Sequence, residues 1–400
     1  MKILLTVLGA LFLLAVWICL DFQFGRRAQL AKIRRRNYPL RESNLQIFTT
    51  GPELFSDYFS LLKKANHHIH ILFYIVRVDL VSKEFFAILK SKAQSGVEVR
   101  LLLDWMGSRT ISRRVIQDLE RANVKFAFCH VPRLPFLFYS TQVRNHRKIM
   151  IIDGKTGYMG GYNIGKEYMD QDPKLHPWRD YHLKISGEGA ADLQREFLKD
   201  WRIATKTDLL NNPIYFPELE KGKSRHQVIP TEGFFLEETF SALIHKAEST
   251  IIIGTPYFIP SKRIFADLLN ALKRGVRLKV IVPHMTDHLL VKEASFWYLR
   301  RLIREGAEIY DYMKGFYHAK VIMIDDKICD IGTANFDQRS LFLNHEINCY
   351  IFDRAFIERV RNILEIDLLD SQQVALSELN TPNLLRSMKE QAAKSISFFL

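Results

Sequence analysis

One cluster of residues is written twice in this chain: RNHRKIMIIDGKTGYMGGYN, centred on His146, and GFYHAKVIMIDDKICDIGTAN, centred on His318. What precedes each copy is also repeated. The run His68–Arg77 is apolar and aromatic and reads as a buried strand; a helical segment, a Gly-Val element and a second apolar strand follow it. Thr250–Pro260 opens the same series, with Gly275-Val276 in place of Gly96-Val97. A third strand is marked by Asn123 in the first copy and by Gly306 in the second. Strands alternating with helices of this length predict α/β units built on a mixed sheet. The boundaries read as an apolar N-terminal segment (1–24), a basic linker (25–44), a first α/β domain (45–203), a polar linker (204–230), a second domain (231–370) and a tail of no assigned role (371–400).

The repeated cluster contains H-x-K-x-x-x-x-D in both copies, as His146, Lys148 and Asp153 and as His318, Lys320 and Asp325. Residues two apart on an extended chain share a face, so each histidine and its lysine point into one site. The aspartate stands at an odd offset from the lysine, beside turn formers (Asp153-Gly154, Asp325-Asp326), which favours a bracing or cation-pairing role over contact with substrate. An asparagine closes each cluster, Asn163 and Asn335. Two imidazoles, two ammoniums and two amides converging on one point suit a phosphate. The lysines supply charge, the amides donate to non-bridging oxygens, and the two imidazoles divide nucleophile and acid between them. This chemistry calls for no metal and no cofactor. Each histidine needs an acid to fix its tautomer. Asp180 and Glu346 are the candidates, 34 and 28 residues beyond the histidines of their own halves. The alternative for Asp180 is a simple pair with its neighbour Arg179.

The net charge of +13 points to anionic partners. The four cysteines (Cys19, Cys129, Cys329, Cys349) are scattered, which fits buried structural thiols and neither a zinc site nor a disulfide framework. Ile3 to Leu20 is an uncharged 18-residue stretch, long enough as a helix to span about 27 Å. Arg26, Arg27, Lys32, Arg34, Arg35 and Arg36 follow it, which predicts a single span with the rest of the chain in the cytoplasm, beside an anionic membrane surface. Pro132–Tyr139, just ahead of His146, is apolar and aromatic. It reads either as a lip on the membrane or acyl entrance, or as a loop under the second domain.

The doubled motif places the chain by resemblance in the phospholipase D superfamily. The flanking words WRDYHLKISG, TPYFIP, FYHAKVIMIDD and GTANFDQRSLFLNHE, with the leading anchor, resemble bacterial cardiolipin synthases, most of all the minor ones with one anchor; the match runs from about residue 45 to 370. Thr333 stands where a serine is commoner and keeps the hydroxyl. The resemblance implies two similar α/β/α sandwich domains about a pseudo-twofold, with His146, Lys148, Asp153, His318, Lys320 and Asp325 as the catalytic set and Asn163 and Asn335 binding substrate. It also implies conversion of two phosphatidylglycerols to cardiolipin and glycerol in the bacterial cell membrane, through a phosphohistidine on His146 with His318 as acid and base. Related enzymes further imply that each acid serves the opposite half, Glu346 on His146 and Asp180 on His318. Within the superfamily, a hydrolytic phospholipase differs only in admitting water. A tethered nuclease is disfavoured by the anchor, and no nucleic acid is expected as partner.

Overall fold

A computed structural model describes residues 1–286, 290–380 and 384–399, without the side chains of 384–386. In the first half the strands of its main sheet are β1 (Arg41–Phe48), β2 (His68–Phe73), β3 (Glu98–Asp104), β4 (Lys125–Cys129), β5 (Ile149–Ile152), β6 (Thr156–Gly160) and β7 (His182–Gly187). In the second half they are β8 (Ser224–Glu232), β9 (Thr250–Gly254), β10 (Arg277–Pro283), β11 (Glu308–Tyr312), β12 (Val321–Ile324), β13 (Ile328–Gly332) and β14 (His345–Ile351). Their order is β4-β3-β2-β5-β6-β7-β1-β8-β14-β13-β12-β9-β10-β11. Read from either end, each strand meets its counterpart from the other half, so a pseudo-twofold passes between β1 and β8. The two sandwiches therefore share one continuous sheet, joined where Arg41–Ser43 pairs antiparallel with Ser224–His226.

Local chemistry explains the elements. Helices Leu80–Gln94, Lys262–Lys273 and Val291–Arg304 each end just before a glycine with positive φ, Gly96 (93°), Gly275 (87°) and Gly306 (94°), and Asn123 (66°) does the same job after Arg113–Arg121. A left-handed residue stops the helix and turns the chain into the next strand. Within the strands, alternate residues feed alternate cores. Ile149 and Ile151 pack under helices Glu188–Thr205 and Arg354–Leu369, while Met150 and Ile152 join the core below Gly51–Lys64 and Leu80–Gln94. That two-sided burial makes each half an α/β/α sandwich.

Several sequence boundaries move. The N-terminal helix runs from Lys2 to Leu30, beyond the predicted edge at residue 24, because nothing after Leu20 breaks it. The first domain begins at Arg41, and β8 crosses the expected boundary at residue 230 because it is a central strand of the sheet. The tail is no detached segment. Residues Ser371–Gln373 (β15) extend the sheet beside β11, and Leu384–Ile396 packs on Val291–Arg304 with Arg300 bonded to Glu390 at 2.6 and 2.8 Å; residues 381–383 and Leu400 lie outside the described residues. Cys129, Cys329 and Cys349 are buried, but Cys19 is exposed, since it sits on the apolar helix face that no protein covers. The Pro132–Tyr139 segment packs against both the N-terminal helix and the second half, where Phe136 and Tyr139 meet Leu343 and Phe398. It leads into a short helix, Leu137–Gln142, clamped to the N-terminal helix. Asp21 accepts the Tyr139 amide at 2.7 Å, Gln29 accepts the Tyr139 hydroxyl at 2.7 Å, and between them Gly25 leaves room for the Tyr139 ring. The three lie four residues apart, on one helix face.

Candidate active site

The motif aspartates are placed alike in both halves, away from the lysines at the far ends of β5 and β12. Asp153, with φ of 54°, accepts the backbone amides of Asn66, His67 and His68 at 2.8–3.2 Å. Asp325, with φ of 51°, accepts those of Glu248, Ser249 and Thr250 at 2.7–2.8 Å. Each pins the start of the strand entering its half (β2 or β9) to the turn after the motif. This corrects their inclusion in the catalytic set: their oxygens are committed to backbone one strand-length from the reacting groups.

At the other end of β5 and β12 the halves cross. The approach to His146 pairs with the second half, where the His146 amide donates to His345 O at 2.9 Å and the His345 amide to Arg144 O at 2.8 Å. The approach to His318 pairs with the first half: Phe316–Tyr317 lies parallel to Trp178–Arg179, and the His318 amide donates to Arg179 O at 2.7 Å. These two short ladders exchange the acids. His146 Nδ1 lies 3.0 and 2.9 Å from the Glu346 oxygens, and His318 Nδ1 lies 2.5 Å from Asp180 Oδ2. Arg179 turns away from Asp180 and binds Asp367 at 2.8 Å. With Nδ1 engaged by a carboxylate, Nε2 is the nitrogen each ring has left for chemistry.

Burial and charge tune these groups. Desolvation lowers the pKa of His146 while Glu346 opposes it, which favours the neutral ring a nucleophile requires. Desolvation also works against the charge of Glu346 and Asp180, but His146 holds the first below the usual carboxylate range and Lys320, with His318, holds the second. Lys148 is fully buried. Desolvation is the largest influence on it, Glu346 pulls the other way and Lys320 adds repulsion, leaving a pKa of about 7. The charges of Lys320 and Asp180 reach Lys148, so the two motifs form one electrostatic site. Lys148 Nζ donates to His146 O at 2.6 Å. Lys320 Nζ donates to His318 O and sits 3.6 Å from Asp180. It also lies 2.6 Å from His318 Nδ1, but a nitrogen that donates to Asp180 has no lone pair for the lysine, so we assign that bond to the carboxylate.

The asparagines are less symmetric. Asn163 Oδ1 accepts the Ile75 amide at 3.0 Å and its Nδ2 donates to Tyr168 Oη at 3.1 Å, fixing the loop behind Tyr74 and leaving one amide hydrogen. Asn335 is buried beside Asp337, and its Oδ1 has no partner among the described residues.

Several further residues act at the site without a role read for them in the sequence. The Tyr74 ring stands edge-on to His146 at 5.0 Å with Lys148 Nζ 5.4 Å from its centroid, and Trp178 packs against His318 at 4.8 Å. Thr333 and Ser340 donate to Glu346 at 2.6 and 2.9 Å. Fully buried Arg147 bonds Asp200 at 2.9 Å and Glu346 O at 3.1 Å, tying the halves together beneath the site. The available signal was Arg147 itself, a cation between the motif's histidine and lysine and therefore on the face opposite to them. Asp104, Cys129 and His130 are a potential ligand cluster for a metal. Asp104 is already satisfied by the Met106, Gly107 and Asn145 amides and by Arg144, and Cys129 Sγ contacts Leu103 O, so the donor set suits a structural brace.

Two histidines, each on an acid from the other half of a duplicated α/β/α fold, with two buried lysines between them, define the phospholipase D class of phosphodiester-transferring enzymes. Solved structures agree on the fold. The phosphatidylserine synthase of Haemophilus influenzae matches with a TM-score of 0.72 at 17% identity, covering 90% of this chain and 97% of that one. The polyphosphate kinase of Porphyromonas gingivalis matches at 0.57 and 14% identity, covering 89% of this chain and 53% of that one. In sequence, the model described as "Cardiolipin synthase, PLD-like domain" matches residues 58–201 and 240–368. The minor cardiolipin synthase ClsB of Bacillus subtilis is 38% identical over the full length of both chains, and a cardiolipin synthase of Alkalihalophilus pseudofirmus is 36% identical over 89% of this chain and 72% of its own. The chain belongs to the cardiolipin synthase family of phospholipase D-like proteins.

Proposed function

We propose that this protein is a cardiolipin synthase that transfers a phosphatidyl group between two phosphatidylglycerols and releases glycerol. The observation that carries the mechanism is the crossed pair, His146 on Glu346 and His318 on Asp180. Neutral His146 attacks the donor phosphorus through Nε2. The bond to the glycerol oxygen breaks, and that oxygen takes the proton of His318. Lys148 and Lys320, with the remaining amide hydrogens of Asn163 and Asn335, balance the charge developing on the non-bridging oxygens. The terminal hydroxyl of a second phosphatidylglycerol then gives its proton to His318 and attacks the phosphorus. The N–P bond opens and cardiolipin leaves. One diester replaces another throughout, so no nucleotide is consumed.

The N-terminal helix supports placement in the membrane: it is apolar and uncovered by protein through Leu20. Its clamp on Leu137–Gln142 sets the preceding lip, with Val131, Leu134 and Leu137 exposed, beside the end of the span. Lipid then enters at that rim, and the basic flank directs the catalytic domains to the cytoplasm. Purified protein in detergent, given labelled phosphatidylglycerol with EDTA present, is expected to yield cardiolipin and free glycerol in equal amounts. Phosphatidic acid as sole product would replace the transferase reading with hydrolysis, and no turnover would end both.

A further inference from the structure

The arginines around the junction of the two halves are mostly paired with carboxylates. Arg36 binds Glu196 and Glu232, Arg100 binds Glu98, Arg144 meets Asp104, Arg147 meets Asp200, and Arg179 meets Asp367. Arg339 has no carboxylate within ion-pair distance among the described residues. Its guanidinium is partly enclosed at the edge of the site, and its hydrogen bonds go to uncharged oxygens. Nη2 donates to Gln142 O at 2.9 Å, and Nη1 to Phe399 O at 3.1 Å and weakly to Gln142 Oε1 at 3.4 Å. Nε and one Nη2 hydrogen stay unused. Desolvation presses its pKa down, with Tyr74 and Asp337 acting in the other direction. A guanidinium left without a counter-charge in such a place is costly to keep unless an anion comes to it.

Its position says which anion. Arg339 lies on the five-residue helix Gln338–Phe342, whose Ser340 holds Glu346, the acid on His146. Across from it are Tyr74, edge-on to His146, and Gln142, at the end of the lip helix beside the span. It therefore lies beside Tyr74, whose ring faces the reacting histidine, and beside Gln142 of the lip helix. Given the two-lipid reaction proposed above, on which this rests, the site must accept two phosphates of which one never reacts. After the first step the donor phosphate is bonded to His146. The remaining phosphate belongs to the acceptor, and three glycerol carbons separate it from the attacking hydroxyl.

We propose that Arg339 binds the non-reacting phosphate of the acceptor phospholipid, and so selects a phospholipid as acceptor over a free alcohol. The fork of Nε and Nη2 suits two non-bridging oxygens of a diester.

Two reactions of the same enzyme separate this role from a structural one. Cardiolipin formation uses two phospholipids. Exchange of labelled free glycerol into phosphatidylglycerol uses one: glycerol gives its proton to His318, its oxygen bonds to phosphorus, and the N–P bond breaks, with no second phosphate present. For Arg339→Gln, cardiolipin formation is expected to fall at least about thirtyfold, the order seen when one partner of a desolvated charge pair is removed. It falls through a higher KM for phosphatidylglycerol as acceptor, while glycerol exchange stays within about threefold of wild type. Arg339→Lys, keeping the charge without the fork, is expected between the two. Retained exchange also certifies that the variant is folded. Parallel loss of both reactions in Arg339→Gln, or unchanged cardiolipin formation, overturns the assignment. Absence of exchange in the wild-type enzyme would overturn the phosphohistidine route itself, and this proposal with it.

Discussion

The two histidine sites descend from one motif, yet their surroundings differ. Glu346, on His146, is also bonded by Thr333, Ser340 and Asn344 at 2.6, 2.9 and 3.3 Å. Asp180, on His318, takes the Tyr181 amide at 2.7 Å and lies beside Lys320, with no side-chain hydroxyl bonded to it among the described residues. Hydroxyl donors draw charge from a carboxylate and leave less of it to support an imidazolium. Desolvation lowers the pKa of His146, whereas His318 stands in a 2.5 Å contact with Asp180. In the proposed mechanism the symmetric scaffold carries a nucleophile on one side and an acid on the other.

The strongest way to break this comparison is to remove each histidine. His146→Ala and His318→Ala should each lower cardiolipin formation by roughly four orders of magnitude or more, as for other residues that act as a unit. A donor with p-nitrophenol as leaving group needs no acid, so His318→Ala should still release one equivalent in a burst and label His146, while His146→Ala should release none. Label in the His146 variant alone would reverse the assignment.

The acids come next. Asp180→Asn should cost about a thousandfold in kcat or more, by analogy with loss of the carboxylate from a histidine pair. Glu346→Gln should cost less, about a hundredfold, because its carboxylate is already shared with Thr333, Ser340 and Asn344. An equal or inverted ranking would remove the claim of divergence.

Lys148 sharpens it by pH. With a pKa of about 7 the ammonium is present below that pH and lost above it. A contribution of its charge to kcat/KM should therefore be complete on the acid side and decline as pH rises through about 7, by up to about tenfold. A bound phosphate raises the pKa, so the same limb in kcat should lie at higher pH. Lys148→Arg stays charged and should flatten the alkaline limb whatever its absolute rate; a limb unmoved in that variant would assign it to another group.

The smallest effects belong to the motif aspartates. Asp153→Asn and Asp325→Asn should leave activity per folded molecule nearly unchanged and lower Tm by about 2–4 °C each, the scale of one to two net hydrogen bonds in a chain of this size. A thousandfold loss of kcat in a folded variant would return either residue to the reacting centre.

Much of this was written locally. The HxK spacing puts imidazole and ammonium on one face; Gly96, Gly275 and Gly306 mark the helix ends; the Ile3–Leu20 run is apolar whatever surrounds it. These are properties of a few consecutive residues, and local backbone geometry is enough to express them. Tyr74 was not legible as a site residue, because an aromatic in an apolar strand word reads equally as core, and nothing in the spacing of Trp178 set it apart.

By itself, the sequence determined the duplication, the paired histidine and lysine positions and the apolar N-terminal run. The tertiary structure decided who serves whom. Asp180 follows Arg179 in the chain, so its sequence neighbours favour an ion pair, but Arg179 binds Asp367 instead. Only when Trp178–Arg179 aligns with Phe316–Tyr317 and Asn145 with His345 do the acids pass across the pseudo-twofold. The same docking leaves Arg339 without a carboxylate in ion-pair distance among the described residues, while buried Arg100, Arg144 and Arg147 each find one. Such pairings depend on how two separate halves meet, and residues far apart in sequence acquire their partners only from that meeting.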